Sequence, residues 1–484
     1  MTRAVRQVTW VLFALIGVLI INLQAITLLQ ADGLADQPTN TRQLVEEYAT
    51  QRGPIVVGDD AVARSVPSSI TDDPLAYLRS YPFGTRGAHV IGWDSIVVGA
   101  SGIEEAFDEE LSAAAEGVLA AELAELLGQR DATGSTVRLT LDPDVQAAAE
   151  RALGDNVGAV VAIDPRTGEV LAHASTPTFD ATPLADHDPA TALAAWDTLR
   201  TDPGRPLLDR ATRELYPPGS TFKLIVAAAA LEAGLAIDTS FPDDLTYQPP
   251  VGQPIRNYSR EVCSDGKTIT LARALELSCN TVFARLGVEL GQDQIRAQAQ
   301  AFGFDRSIPY DLPVADSVFP KNTDDAQLAQ SSIGQFDVRA TAMQMAVVVA
   351  AIANDGKLQT PHVVRDVRDA SGRLMAGPQA RPWDEGRFGS EAVSQRTATL
   401  LQQMMVGVVE RGTGTRAVIP GVRVGGKTGT AQDPSNNSST AWFVGFAEQK
   451  VAVAVVLPDA GGPGGGQIAA PIARAVMEAA LRAG

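Results

Sequence analysis

The stretch Tyr216-Pro217-Pro218-Gly219-Ser220-Thr221-Phe222-Lys223 runs directly into Leu224-Ile225-Val226-Ala227-Ala228-Ala229-Ala230-Leu231-Glu232-Ala233, and Gly234 closes it. Two prolines and a glycine cannot continue a preceding helix, so the first four residues form a rigid lead-in turn. The run from Ser220 to Ala233 reads as a helix, apolar on nearly every face, which predicts a rod buried on all sides rather than an amphipathic surface helix. Ser220 and Lys223 are three apart and stack on one face of its first turn. Burial disfavours the charged form of such a lysine, and the positive end of the helix dipole acts in the same direction. The amine is therefore expected to accept the proton of the neighbouring serine hydroxyl. The ordinary alternative makes Ser220 a helix cap and Lys223 a solvated side chain.

Lysine usage favours the first reading. The chain has six lysines, at 223, 267, 321, 357, 427 and 450, against thirty-three arginines. Arginine keeps its proton in a protein whereas a buried lysine can lose it, so the few lysines are where a titratable amine is worth seeking.

At 484 residues and 45% apolar content the chain is long enough for two or three domains with substantial cores. A net charge of −18 argues against nucleic acid or an anionic membrane surface as the main partner. Near the start, Arg3 and Arg6 precede an apolar run from Val8 to Ile21 that continues, diluted, to Leu29. About 22 helical residues span roughly 33 Å, enough for a bilayer core of about 30 Å. The basic end is expected to stay in the cytoplasm and the remainder to be exported, with residues 1–30 as tip and transmembrane anchor. A cleaved signal peptide is the alternative, but no clear cleavage site is present. In an exported chain Cys263 and Cys279 can close a disulfide, free buried thiols being the other possibility. Two cysteines and four scattered histidines make no metal-binding pattern.

Residues 31–134 read as a small α+β pedestal or docking domain, with a long Ala/Glu/Leu helix expected over 103–127. The break Asp131-Ala132-Thr133-Gly134-Ser135 marks a boundary, and 135–484 form the large domain. Two strands joined by the turn Asp164-Pro165-Arg166-Thr167-Gly168 lie near its start; three more, at 422–430, 441–446 and 451–457, lie near its end. With a mostly helical block between, they describe one α+β unit around five antiparallel strands. The run Gly461-Gly462-Pro463-Gly464-Gly465-Gly466 lacks the lysine of a phosphate-binding loop and reads as a flexible connection before a helix from about 467 to 483.

Two further motifs join S-x-x-K. Lys427-Thr428-Gly429-Thr430 ends a strand: the lysine supplies charge for a carboxylate, the threonines supply hydroxyls, and Gly429 lets a ligand lie close to the strand edge. Ser278-Cys279-Asn280 falls between two helical patterns, and residues two apart can converge only from a turn. In the order S-x-x-K, S-x-N, K-T-G, this set is a known signature of serine β-lactamases and penicillin-binding proteins. The chain resembles class B penicillin-binding proteins over roughly 135–484, also through Gly334-Gln335 with Thr341 and Gln344, Ala353-Asn354-Asp355-Gly356, and Gly426 to Gln432. Its short first domain and the placing of its cysteines look most like the penicillin-binding protein A type of high-GC Gram-positive bacteria.

The resemblance implies a five-stranded antiparallel sheet with helices on both faces, a peptidoglycan D,D-transpeptidase activity without cofactor, and acylation by β-lactams. Ser220 would attack a D-alanyl-D-alanine stem peptide with Lys223 as base. Ser278 would relay a proton to the leaving D-alanine, Asn280 would position substrate amide and Lys223, and Lys427 would set the field. Thr428 and Thr430 beside Gly429 would bind the terminal carboxylate, and the backbone N–H groups of Ser220 and Thr430 would form the oxyanion hole. A disulfide from Cys263 would fix the turn carrying S-x-N. Expected partners are a membrane-embedded glycan polymerase and division proteins. Asp209-Arg210-Ala211 departs from the family's frequent Asn-Arg-Ala, which puts the role of that first position in doubt. The competing readings are a D,D-carboxypeptidase, a β-lactam-hydrolysing enzyme and a non-catalytic division scaffold.

Overall fold

The computed structural model describes residues 3–29, 48, 50–68, 75–112, 133–377, 391–433, 438–461 and 464–483. Helix α1 (Arg3–Leu29) contains a stretch, Arg6–Gln24, long and apolar enough to cross a membrane. The elements after it that build the two main sheets and the site are β1 (Ile55–Val57), β2 (Asp60–Pro67), β3 (Tyr77–Ser80), β4 (Thr136–Leu139), α2 (Pro143–Leu153), β5 (Gly158–Ile163) and β6 (Val170–Thr176). Next come α3 (Lys223–Glu232), α4 (Leu271–Glu276), α5 (Asn280–Leu290), α6 (Ala342–Ala353), β7 (Val364–Arg368), β8 (Leu374–Ala376) and α7 (Gln395–Arg411). The chain ends with β9 (Val424–Asp433), β10 (Ser438–Ala447), β11 (Val451–Leu457) and α8 (Gly465–Ala483).

The larger sheet has the order β9-β10-β11-β5-β6 and is antiparallel throughout. It is the expected arrangement: two strands from the start of the large domain, three from its end, and a helical insert between. Alternation along β11 shows how both faces are covered. Val451, Val453, Val455 and Leu457 pack with Val145 and Leu153 of α2 and Ala473, Val476 and Met477 of α8. The intervening Ala452, Ala454 and Val456 join the core built on α3 and α6. A period of two in side-chain direction thus places one strand in two cores. Helix α3 is buried from Lys223 to Leu231, as its uniform apolarity requires, and α6 is buried along its whole length.

A second sheet has the order β8-β7-β4-β1-β2-β3, with β1 and β4 parallel and the other pairs antiparallel. It pairs strands from both sides of the expected 134/135 boundary. The long helix expected over 103–127 is different at its start: Gly102–Ala106 and Asp108–Leu111 are separate short helices, and 113–127 lie outside the described residues. Glu104, which would sit on a helix face, is instead fully buried between two guanidinium groups, at 2.9 Å from Arg52 Nε and 2.6 Å from Arg79 Nε. Burial alone would raise its carboxyl, but Arg79 and Arg52 hold it below the usual carboxylate range.

The glycine run before α8 is also different from the reading as a mere connection. Gly465 is already helical, and a Cβ there would lie 1.9 Å from the Trp442 carbonyl oxygen. Only glycine lets the helix start this close to β10. Residues 462–463 lie outside the described residues.

Candidate active site

The lead-in turn is tied down before the helix begins. Tyr216 exchanges backbone bonds with Ala340 at 3.0 and 2.8 Å, and Trp442 Nε1 donates to the Pro217 carbonyl at 3.0 Å. Gly219 has φ +53° and donates its N–H to the Gly334 carbonyl at 2.9 Å. A Cβ on Gly219 would lie 2.8 Å from the Thr430 carbonyl, so the nucleophile turn abuts the K-T-G strand directly. Ser220 sits half-buried in a single 3₁₀ turn, Gly219–Phe222, and makes no capping bond. Lys223 then opens α3 and is fully buried. The reading of Ser220 as a helix cap therefore fails, as does that of Lys223 as a solvated side chain.

The S-x-N turn comes in from the helical block. Helix α4 ends, Ser278 takes φ +62°, and α5 starts at Asn280. The left-handed conformation is uncommon for serine; it turns the chain so that side chains two apart can both face the groove. Lys223 Nζ donates to the Ser278 carbonyl at 2.7 Å and to Asn280 Oδ1 at 2.7 Å, with Ser278 Oγ at 3.4 Å. Lys427, on β9 and also fully buried, donates to Ser278 Oγ at 2.8 Å and to the Thr428 carbonyl at 2.9 Å. Ser278 Oγ therefore lies between two amines. Thr428 is buried, Thr430 half-buried, and Gly429 packs against the Pro218 carbonyl across the same junction.

The electrostatics follow from burial. Desolvation, with Lys427 nearby, holds the Lys223 amine well below the ordinary lysine range, and desolvation lowers Lys427 to about 7. A neutral amine has two hydrogens and one lone pair. Two strong acceptors, the Ser278 carbonyl and Asn280 Oδ1, can take both hydrogens, which leaves the lone pair for an incoming proton.

Cys263 and Cys279 are bonded. The loop on the Cys263 side is itself held by Asp243, whose carboxylate accepts from the N–H groups of Cys263, Ser264 and Gly266 at 2.8, 2.7 and 3.0 Å. Cys279 precedes α5 but cannot cap it with an oxygen. Buried Asn257 supplies that acceptor from a distance, its Oδ1 taking the Asn280 N–H at 2.9 Å and the Thr281 N–H at 3.2 Å. The Arg256 carbonyl holds Asn280 Nδ2 at 2.9 Å, so Oδ1 is left facing Lys223. Neither Asn257 nor Arg256 was legible in the sequence: an Asn in a polar loop gives no hint of the helix it caps.

Asp209 lies away from these groups. Its carboxylate accepts from His173 Nε2 at 2.9 Å, from the Ala211 N–H at 2.9 Å and from the Thr212 hydroxyl. Burial would raise it, but His173, His89 and the Thr212 hydroxyl together hold it below the usual carboxylate range. Its contacts make it a brace for the segment leading to Tyr216. No group of His, Cys, Asp and Glu among the described residues could hold a metal ion.

A family model described as the penicillin-binding protein transpeptidase domain matches residues 158–478, and one described as the penicillin-binding protein A dimerisation domain matches residues 52–137. The chain is 40% identical over 500 residues to the peptidoglycan D,D-transpeptidase PbpA of Mycolicibacterium smegmatis, covering 100% of both chains. It is 38% identical over 505 residues to PbpA of Mycobacterium tuberculosis, covering 100% of this chain and 99% of the other. Among solved structures, the ceftriaxone acyl-enzyme of penicillin-binding protein A from M. tuberculosis matches with a TM-score of 0.85 and 36% identity, covering 90% of this chain and 100% of that one. The penicillin G acyl-enzyme of the same protein matches with a TM-score of 0.83 and 36% identity, covering 89% and 100%.

Proposed function

Since the chain belongs to the class B penicillin-binding proteins and is closely related to the mycobacterial PbpA enzymes, we propose a division of labour for its active-site residues. It is a serine D,D-transpeptidase of peptidoglycan synthesis, acylated by β-lactams. Ser220 Oγ attacks the carbonyl carbon of the penultimate D-alanine, and its proton passes to the neutral Lys223 amine. The N–H groups of Ser220 and Thr430 hold the oxyanion. As the C–N bond breaks, the leaving D-alanine takes a proton from the Ser278 hydroxyl, which Lys223 replaces with the one it took from Ser220, while Lys427 sets the field around Ser278. Asn280 keeps Lys223 aimed, and the Thr428 and Thr430 hydroxyls grip the terminal carboxylate; the space beside Gly429 expected for a ligand is filled by the Pro218 carbonyl, Thr221 and Trp442, so that glycine admits the nucleophile turn instead. The amine of a second stem peptide then attacks the acyl carbon, its proton passes through Ser278 to Lys223, and Lys223 returns one to Ser220 Oγ as the ester C–O bond breaks, which cross-links two strands and frees the serine.

The observation that carries this reading is the Lys223 amine, fully buried, held well below its ordinary range and donating to Asn280 and the Ser278 carbonyl. Fluorescent penicillin incubated with wild type and Ser220→Ala tests the nucleophile: a stable adduct is expected on wild type only. Lys223→Arg is expected to impair labelling nearly as much as Lys223→Ala, because arginine cannot give up its proton. Labelling of Lys223→Arg at the wild-type rate would rule out the lysine as base.

Helix α1 suits a single-pass anchor with a cytoplasmic N-terminus and an exported catalytic domain, Arg3 and Arg6 lying on the expected inner side. Residues 31–134 then serve as the pedestal that docks a membrane glycan polymerase and division proteins. Crosslinking from that unit in cells tests the assignment.

A further inference from the structure

We propose that Thr413, which lies outside all three motifs, is a positioning residue that aims the Thr428 hydroxyl at the substrate's terminal carboxylate. This rests on the reading that Thr428 and Thr430 bind that group.

Thr413 lies just past the end of α7, and its Oγ1 is 2.6 Å from Thr428 Oγ1. Its backbone is fixed from the other side of the groove, where its N–H donates to the Glu276 carbonyl at 3.2 Å. Glu276 stands two residues before Ser278, and its buried carboxylate pairs with Arg273 Nη1 at 2.8 Å and with Arg411. Thr413 is therefore held by the last residue of α4, the helix that leads into the S-x-N turn, while it touches the K-T-G strand.

A hydroxyl has one hydrogen and two lone pairs, whereas a carboxylate only accepts. When Thr413 donates to Thr428, the Thr428 hydrogen is left for the groove. Thr430 is arranged alike, its Oγ1 accepting the Gly465 N–H at 3.4 Å. Each carboxylate-facing hydroxyl thus takes a hydrogen bond from the protein and keeps its own hydrogen for the ligand. An anion arriving at the groove selects the direction in which Thr413 is the donor. Without Thr413 the Thr428 hydroxyl is free to rotate and satisfy itself elsewhere.

The test compares acylation of the full-length protein by penicillin G and by its methyl ester, which keeps the reactive ring but lacks the carboxylate. Thr413→Val is expected to slow acylation by the acid about tenfold and to change that by the ester less than about twofold. Thr413→Ser, which keeps the hydroxyl, restores the acid rate. The double variant Thr413→Val with Thr428→Val is no slower than Thr428→Val alone, since both remove the same interaction. Equal slowing of acid and ester by Thr413→Val, or slowing of neither, while Thr428→Val still abolishes the preference for the acid, overturns the role of Thr413 alone. If Thr428→Val and Thr430→Val both leave that preference intact, the carboxylate reading fails and the proposal fails with it.

Discussion

Lys223 and Lys427 show what a sequence discloses about single residues. The apolar run after Lys223, with the rarity of lysine among many arginines, disclosed that its amine would be buried and short of charge, whereas Lys427 was read as a charge for a carboxylate; the chain buries both completely, and desolvation lowers Lys427 as well. Their contacts were not disclosed, because the Ser278 and Asn280 atoms come from a turn far along the chain. The burial has a measurable consequence for stability. Lys427 falls to about 7 from an ordinary 10.5, so between those values the unfolded chain binds a proton that the folded chain does not. Stability therefore rises with pH from about 7 towards 10.5, by up to about 1.4 kcal/mol per unit in that window. In Lys427→Met that contribution is gone, and thermal melts across pH 7–9.5 should show a flatter rise than in wild type. An unchanged slope would mean that the amine is solvated in the folded protein.

At the scale of elements, the nucleophile helix was readable because it declares itself locally by uniform apolarity; the K-T-G strand was expected to end at Thr430 but runs on to Asp433, so the motif lies inside it, held there by pairing with β10 that local sequence does not show. The turn between α4 and α5 was not readable, since it is shaped by partners remote in sequence: the Cys263 disulfide, the Arg256 carbonyl and the Asn257 side chain. Of these only the disulfide is suggested by the sequence, as one of two possibilities. Asn257 is not, and it is the more informative to vary, because it caps α5 without touching Ser220 or either lysine. Asn257→Ala should cost about 1–2 kcal/mol in stability, the usual value of a lost cap, and loosen the Asn280 backbone. Acylation by penicillin G should slow about tenfold if Asn280 drifts from Lys223 by even an ångström. Asn257→Asp retains an acceptor oxygen and should recover most of both. Normal acylation by a destabilised Asn257→Ala would show that the cap serves folding alone.

On the scale of the whole molecule, five antiparallel strands drawn from two ends of one domain were legible, yet the way the two units join was not. A break in helical pattern at 131–135 looks like a linker, but strand β4 just beyond it pairs with β1 on one side and β7 on the other. Long-range pairing of this kind leaves no mark on local composition. A further bond joins the two units: Gly87 N–H to Glu150 Oε1 at 2.9 Å. A shared sheet predicts that the N-terminal unit and the transpeptidase domain unfold together. Glu104 offers the lever, because Glu104→Gln leaves the buried Arg52 and Arg79 charges without their common partner. Breaking a buried ion pair from one side costs roughly 3–5 kcal/mol, on the order of 3–5 °C when a chain of this size unfolds as one unit. Calorimetry should show one transition in wild type, and in Glu104→Gln one transition displaced downward as a whole, with penicillin labelling lost at the same temperature. Two transitions, of which only the lower moves while labelling survives above it, would show that the N-terminal unit melts independently of the transpeptidase domain.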